Sequence, residues 1–255
     1  MRCALTYLAV AVLAGACGGG GSAPPPSVPT GPPEIRVDVV REHAEQFTED
    51  IPERRAGSQE ELAAATYITG HLQQAGYIVL LDAVPVKNLV RSTNVVANPP
   101  SGDEPKVVVA VPYGSAPAAP DIPEALGVFL ELARALRVRD PEHSVEFVAL
   151  GAEFTDLAGG RLGSRRLAQL LLDEDVDPVV VVLDGVSDEA PLSIRGTAAN
   201  EIAEAAGPRD GDGSAQDLSP DELIWQRAGL DFAYVRGPPE EIGPLLLDYL
   251  AAAGR

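Results

Sequence analysis

The chain has 255 residues and sets 19 Lys and Arg against 38 Asp and Glu, a formal charge of −19. That balance argues against a nucleic-acid binder or a protein drawn to anionic headgroups, both of which need clustered cations. At 45% hydrophobic residues it has the means for a folded core, and its length suits one large α/β domain or two small ones.

Residues 1–16, MRCALTYLAVAVLAGA, place Arg2 before an apolar run too short to span a bilayer, which reads as a signal peptide. The segment LAGAC followed by four glycines has the form of a bacterial lipoprotein cleavage site, with Cys17 as the lipidated first residue. A plain signal cut near Ala16 is the other reading. Residues 17–36 form a Gly/Pro tether, and residues 37–255 the folded domain. The expected location is the bacterial cell envelope, exported and held to the membrane through Cys17. Cys3 is the only other cysteine, so the domain would contain no disulfide and no thiolate zinc site.

Helical spacing predicts a first helix over 37–47. A second follows Ser58, where Ser58 and Glu61 make a capping box and Leu62, Ala65, Ile68 and Leu72 share a face until Gly76. Strands are expected at 77–84, 92–98, 106–113, 144–151 and 177–186, with helices at 123–136 and 161–172 between the later ones. The runs KVVVAV and PVVVVL are apolar throughout, as in strands covered on both faces. The last third gives a helix near 220–229, a strand at 231–236 and a helix at 240–253, with Trp225 as core. Residues 207–217 read as a polar insert. The expected fold is a three-layer α/β domain whose mostly parallel mixed sheet carries helices on both faces. In such sheets functional groups gather where strands end. Those places are VPYGS (111–115), Pro120–Asp121, GAEF (151–154) and LDG (183–185).

Six segments, RRAGSQEELAAATYITGHLQQAGY, TNVVAN, LGVFLELARAL, VEFVALGAEF, GGRLGS and VVLDGV, resemble in order and spacing the M28 family of zinc aminopeptidases. That family also includes the glutaminyl cyclases. The resemblance runs over about residues 37–250 and implies a zinc pair with an activated water and a glutamate base. By the same resemblance Glu153 stands at the base position, Asp121 at the bridging carboxylate and Asp184 at a later metal ligand. Pro112 stands where the family has a His, Gly114 where an Asp orients it, and Phe154 where a second carboxylate binds metal. No histidine follows Tyr234 to supply the last ligand.

Only His43, His71 and His143 occur, none at a strand end, and each reads as a partly exposed surface residue. Asp121, Glu153 and Asp184 without imidazole suit Ca²⁺ or Mg²⁺ better than zinc. Each also has a plainer role, Asp121 as the N-cap before PEAL and the other two as solvated strand-end carboxylates. Neither Ser115 nor Ser164 sits in a nucleophile elbow, and the glycines at 151, 159, 160 and 163 make no dinucleotide fingerprint. Arg161, Arg165 and Arg166 could gather an anion at a helix N-terminus, or form its solvated face.

The reading that follows is a lipid-anchored M28-like domain with vestigial ligands and no cofactor, binding a peptide, glycan fragment or protein in its cleft as an accessory. The alternative is an active aminopeptidase with a rearranged site, in which Glu153 is the base, Asp121 and Asp184 hold zinc and Glu222 lends a ligand. A third is an assembly role beside an active relative.

Overall fold

Every residue of Val107–Pro112 is buried, and its side chains alternate between two separate apolar layers. This strand is the middle of the sheet in the computed structural model, which describes residues 29–115, 123–155, 159–205 and 222–255. The signal peptide, Cys17, most of the tether, Asp121 and the 207–217 segment lie outside the described residues. Among the described residues no helix is long and apolar enough to cross a membrane.

In chain order the elements are α1 (Val37–Asp50), α2 (Gln59–Gln74), β1 (Val79–Lys87), β2 (Val90–Ala97), β3 (Val107–Pro112), α3 (Pro123–Arg139) and β4 (Val145–Leu150). They continue as α4 (Leu162–Asp173), β5 (Val179–Val186), β6 (Ser193–Arg195), α5 (Ala199–Ala205), α6 (Glu222–Ala228), β7 (Phe232–Gly237) and α7 (Pro239–Ala253). The seven strands lie in the order β1-β2-β4-β3-β5-β7-β6. Strands β4, β3, β5 and β7 run parallel, and the β1–β2 hairpin and β6 close the edges antiparallel. Val107, Val109 and Val111 face one layer with α1, α2, α3, α5 and α7, while Val108 and Ala110 face the other with α4 and α6. The expected three-layer α/β architecture is therefore present. Trp225 is fully buried in the second layer and its indole donates to the Tyr234 hydroxyl at 3.1 Å.

Helix α2 begins as the sequence suggests, with Ser58 Oγ accepting from the Glu61 amide at 3.0 Å. Glu61 itself reaches past the cap to the Gly57 amide at 2.5 Å. It takes an inward position, and Leu62, expected on the buried face, is 54% exposed instead. At the other end Gly76 has φ +85°, the Gly76 amide bonds Gln73 O and the Tyr77 amide bonds Leu72 O. That is a Schellman motif, which only a residue tolerant of positive φ closes without strain.

The β1–β2 hairpin extends further than its composition suggests. Its tip is Asn88–Leu89, both at positive φ as in a type I′ turn, although Leu lacks the freedom that Asn-Gly would give. Leu89 is completely exposed.

Two histidines are buried, contrary to the surface reading. The His143 Nδ1 accepts from the Val145 amide at 3.1 Å, so its Nε2–H faces the Tyr77 hydroxyl at 2.9 Å, which in turn donates to Ala133 O. This chain needs a neutral imidazole, and burial, aided by Arg137, pushes His143 down to about 3. His43 is pushed down to about 4 by burial and by neighbouring His71. Glu146 on β4 goes the other way, up to about 7, through burial and the nearby Glu174.

Two expectations follow. Leu89→Gly should raise unfolding free energy by about 1 kcal/mol, because it relieves a left-handed side chain and removes no buried contact. Urea unfolding curves would measure it, and an unchanged or lower midpoint would contradict the strain. Between about pH 4 and the ordinary histidine value near 6.5 the unfolded chain binds protons that folded His43 and His143 do not. Stability should therefore climb with pH through that window. Glu146 opposes this from its ordinary 4.5 up to about 7, where the folded state holds the extra proton. Glu146→Gln should thus steepen the climb and add stability above pH 7, while changing nothing at pH 4.

Candidate functional site

The C-terminal ends of β3, β4 and β5 bring together Pro112, Gly114, Glu153, Phe154 and Asp184 along one rim of the sheet. After β4 the backbone turns sharply through Ala152 (φ +52°), and Arg161 (φ +55°) opens α4. These two left-handed residues aim Glu153 inward. Glu153 is 3% exposed, which corrects the solvated strand-end reading. Its Oε1 accepts from the Ser164 amide at 2.7 Å and its Oε2 from the Ser164 hydroxyl at 2.9 Å. The N-cap residue of α4, Arg161, provides no side-chain cap of its own. The Glu153 carboxylate fills that place, satisfying an orphan amide and facing the positive end of the helix dipole. The anion position that the arginine cluster suggested is occupied by the chain's own carboxylate.

Phe154 packs partly buried against the main core, with the Arg161 guanidinium 4.9 Å from its ring centroid. The same guanidinium lies 3.9 Å from Glu153 Oε2. Arg166, the third member of the cluster, makes a paired contact to Asp82 on β1 at 2.9 to 3.2 Å.

At the end of β3, Pro112 is buried and offers no donor or acceptor on its side chain. The loop after α1 closes over this strand end. Arg54, 3% exposed, donates from Nε to Tyr113 O and from Nη1 to Ile51 O, both at 2.7 Å, and its guanidinium lies 5.2 Å from the Phe47 ring centroid. The backbones of Arg54 and Ser115 are tied by a bond at 2.9 Å. Beside Gly114 sits Glu61, a residue that sequence reasoning assigned only to helix capping. Its Oε1 accepts from the Ser92 hydroxyl at 2.6 Å and the Ala152 amide at 3.1 Å. Burial pushes the Glu61 carboxyl up, against the pull of those bonds. The only sequence signal for its second role was a helix position where Glu falls on the face of Ala64, Ala65 and Ile68.

Asp184 is half-buried and paired with Arg236 on the adjacent strand β7. Glu222 is buried at the start of α6 and lies 3.5 Å from Arg195 of β6. His43 and His71 are not at this rim. Their rings meet edge to face between α1 and α2, centroids 4.7 Å apart, and His43 Nδ1 bonds the Tyr67 hydroxyl at 2.7 Å. They line a cleft of about 680 Å³ with Arg36, Glu131 and Arg134. Arg134 there holds Pro32 O and Glu34 O, fixing the end of the tether to α3.

Among the described residues, the donors at this rim do not fit the zinc pair that the family resemblance implies. Among the described residues no three His, Cys, Asp or Glu are grouped to hold a metal. Glu153 faces a helix N-terminus, and guanidinium groups stand beside it, beside Phe154 and beside Asp184. A dication placed there would meet positive charge and find no imidazole. What the described rim does offer is fixed backbone, one aromatic face and arginines.

If Glu153 anchors α4, Glu153→Ala should lower unfolding free energy by about 2 kcal/mol without any metal present. Glu153→Gln, which keeps one acceptor, should cost less. Chemical denaturation of the two variants would show it, and an unchanged midpoint for the alanine variant would remove the anchoring role.

No family model matches the sequence, and no curated protein matches it. Solved structures do match in fold. A leucine aminopeptidase precursor from Bacteroides thetaiotaomicron superposes with a TM-score of 0.73 at 15% identity, over 87% of this chain and 98% of that one. A glutaminyl cyclase from an Acidobacteriales bacterium gives 0.68 at 14% identity, over 92% and 99%. The LapA aminopeptidase of Legionella pneumophila gives 0.63 at 15%, over 87% of this chain and 73% of that one. The chain has the fold that zinc aminopeptidases and glutaminyl cyclases share.

Proposed function

We propose that this chain is a non-catalytic domain on the zinc-aminopeptidase fold, exported, held to the cell envelope through a lipid on Cys17, and acting as a binding or accessory protein. The observation that carries the reading is Glu153. The one carboxylate standing where the fold's base would stand is spent on the Ser164 amide and hydroxyl. Its neighbour Phe154 presents a ring under Arg161 in place of an oxygen ligand. The rim suits a peptide or protein ligand bearing a carboxylate or amide, which arginine and backbone groups would meet. Zinc has no part in this reading. Localisation rests on the sequence of residues 1–17 alone.

The test is metal content and zinc affinity of the chain from residue 29 onward, followed by release of N-terminal amino acids from a peptide panel. The expected result is no stoichiometric zinc and no turnover. Tight binding of one or two zinc ions, with metal-dependent turnover abolished by Glu153→Gln, would establish the active-aminopeptidase reading instead. Metabolic labelling with a fatty acid, lost in Cys17→Ser, tests the anchor.

A further inference from the structure

Strand β1 lies at the edge of the sheet, with no strand on its outer side among the described residues. Alternate backbone N–H and C=O groups of such a strand point away from its one partner and need another chain or water. Natural edges are commonly blunted with charge, yet β1 and its approach expose Ile78 (65%), Leu80 (53%) and Leu81 (60%). Pro85 interrupts donation only near the far end.

Beside this edge, on the face covered by α4, runs a groove of about 690 Å³. Its floor is apolar, formed by Leu80, Val96, Leu167, Leu170, Leu171 and Val176. Its rim is acidic, with Asp103, Glu104 and Glu174. Asp103, Glu104 and Val176 continue into a second hollow with Asp140, Glu142 and Asp177. The cations of that second hollow are committed, Lys106 to the Arg255 carbonyl and Arg255 to Asp140 at 3.8 Å. The groove lies at the N-terminal ends of β3, β4 and β5, the opposite end of the sheet from Glu153.

We propose that this groove and the free edge of β1 bind an extended segment of a partner polypeptide that carries both apolar and basic residues on one face, at every second position. A strand laid along β1 would satisfy the outward backbone groups and, because every second side chain shares a face, place those apolar residues on Leu80 and the groove floor and those cations against the acidic rim. The unpaired backbone favours a polypeptide over a small cationic amphiphile. A second copy of this chain is disfavoured, because pairing edge to edge would bring two acidic rims together in a protein of charge −19. The chain's own tether enters at Pro29 on the α1–α3 side, the other face of the sheet.

The test uses the full chain in non-ionic detergent and a short labelled peptide repeating Leu-Thr-Lys-Thr (the Lys–Leu peptide), with Glu in place of Lys as control (the Glu–Leu peptide), followed by fluorescence anisotropy. Saturable binding is expected for the Lys–Leu peptide alone, weakening as salt rises. Leu80→Lys and Glu174→Lys, both on exposed positions, should each weaken it about tenfold. Leu62→Lys, exposed on α2, should leave it unchanged. Should Leu80→Lys fail to fold, Glu174→Lys carries the test. Equal binding of the Glu–Leu peptide, no binding of the Lys–Leu peptide, or indifference to the substitutions would overturn the proposal. So would a dimer of the unaltered chain that Leu80→Lys dissolves, which would make the occupant a second copy.

Discussion

Two carboxylates, Glu61 and Glu153, are almost fully buried at the same rim of the sheet, and a buried charge costs several kcal/mol unless it is met by donors. Each is met by backbone amides, and the way this is done ties four elements together. Glu61 leaves α2, takes the Ser92 hydroxyl from β2 and the Ala152 amide at the end of β4. One residue later Glu153 takes the first turn of α4 through Ser164. The two carboxylates thus fix the backbone on either side of the turn that any ligand approaching the strand ends would meet.

Positive charge at this rim comes from guanidinium groups. Arg161 flanks Glu153 and Phe154, Arg236 holds Asp184, and Arg54 lies buried against the end of β3. Arginine delivers its charge as a planar fork of donors on a side chain rooted in the fold, whereas a bound dication gathers ligands around a point. The first arrangement holds loops in place and can hold an oxygen-bearing ligand.

Much of the scaffold was legible because its signals are local. Strands β3 and β5 read as apolar runs, α2 showed its Ser58 cap and Gly76 stop, and Trp225 fell on the core as expected. The short β6 and α5 carry too few residues to display a period. The hairpin reaches to Leu89 although Pro85 and an Asn-Leu turn both argue against it, because pairing along β2 outweighs the local preference. The inward face of α2 was misjudged by one residue, since a glutamate is read as solvent-facing unless its distant donors are known. The same holds for His143, whose neutral ring is specified by Val145, Tyr77 and Ala133 together. The position of Glu153 could be read from VEFVALGAEF; its bond to a serine eleven residues onward has no period to announce it.

The place of Gly114 bears on what further side chain this rim could accept. A Cβ there would lie at ordinary contact distance, 3.4 Å from Arg54 O and 3.9 Å from both the Ala152 amide and Glu61 Oε1. An aspartate would therefore fit by volume but would set its carboxylate against that of Glu61, already strained toward protonation by burial. Glu61 would have to be replaced beforehand, and its loss would release the Ser92 and Ala152 donors and loosen the turn. Adding a second carboxylate at this rim by single substitutions therefore costs stability at either step, because the bonds of Glu61 hold the very turn that the newcomer would adjoin.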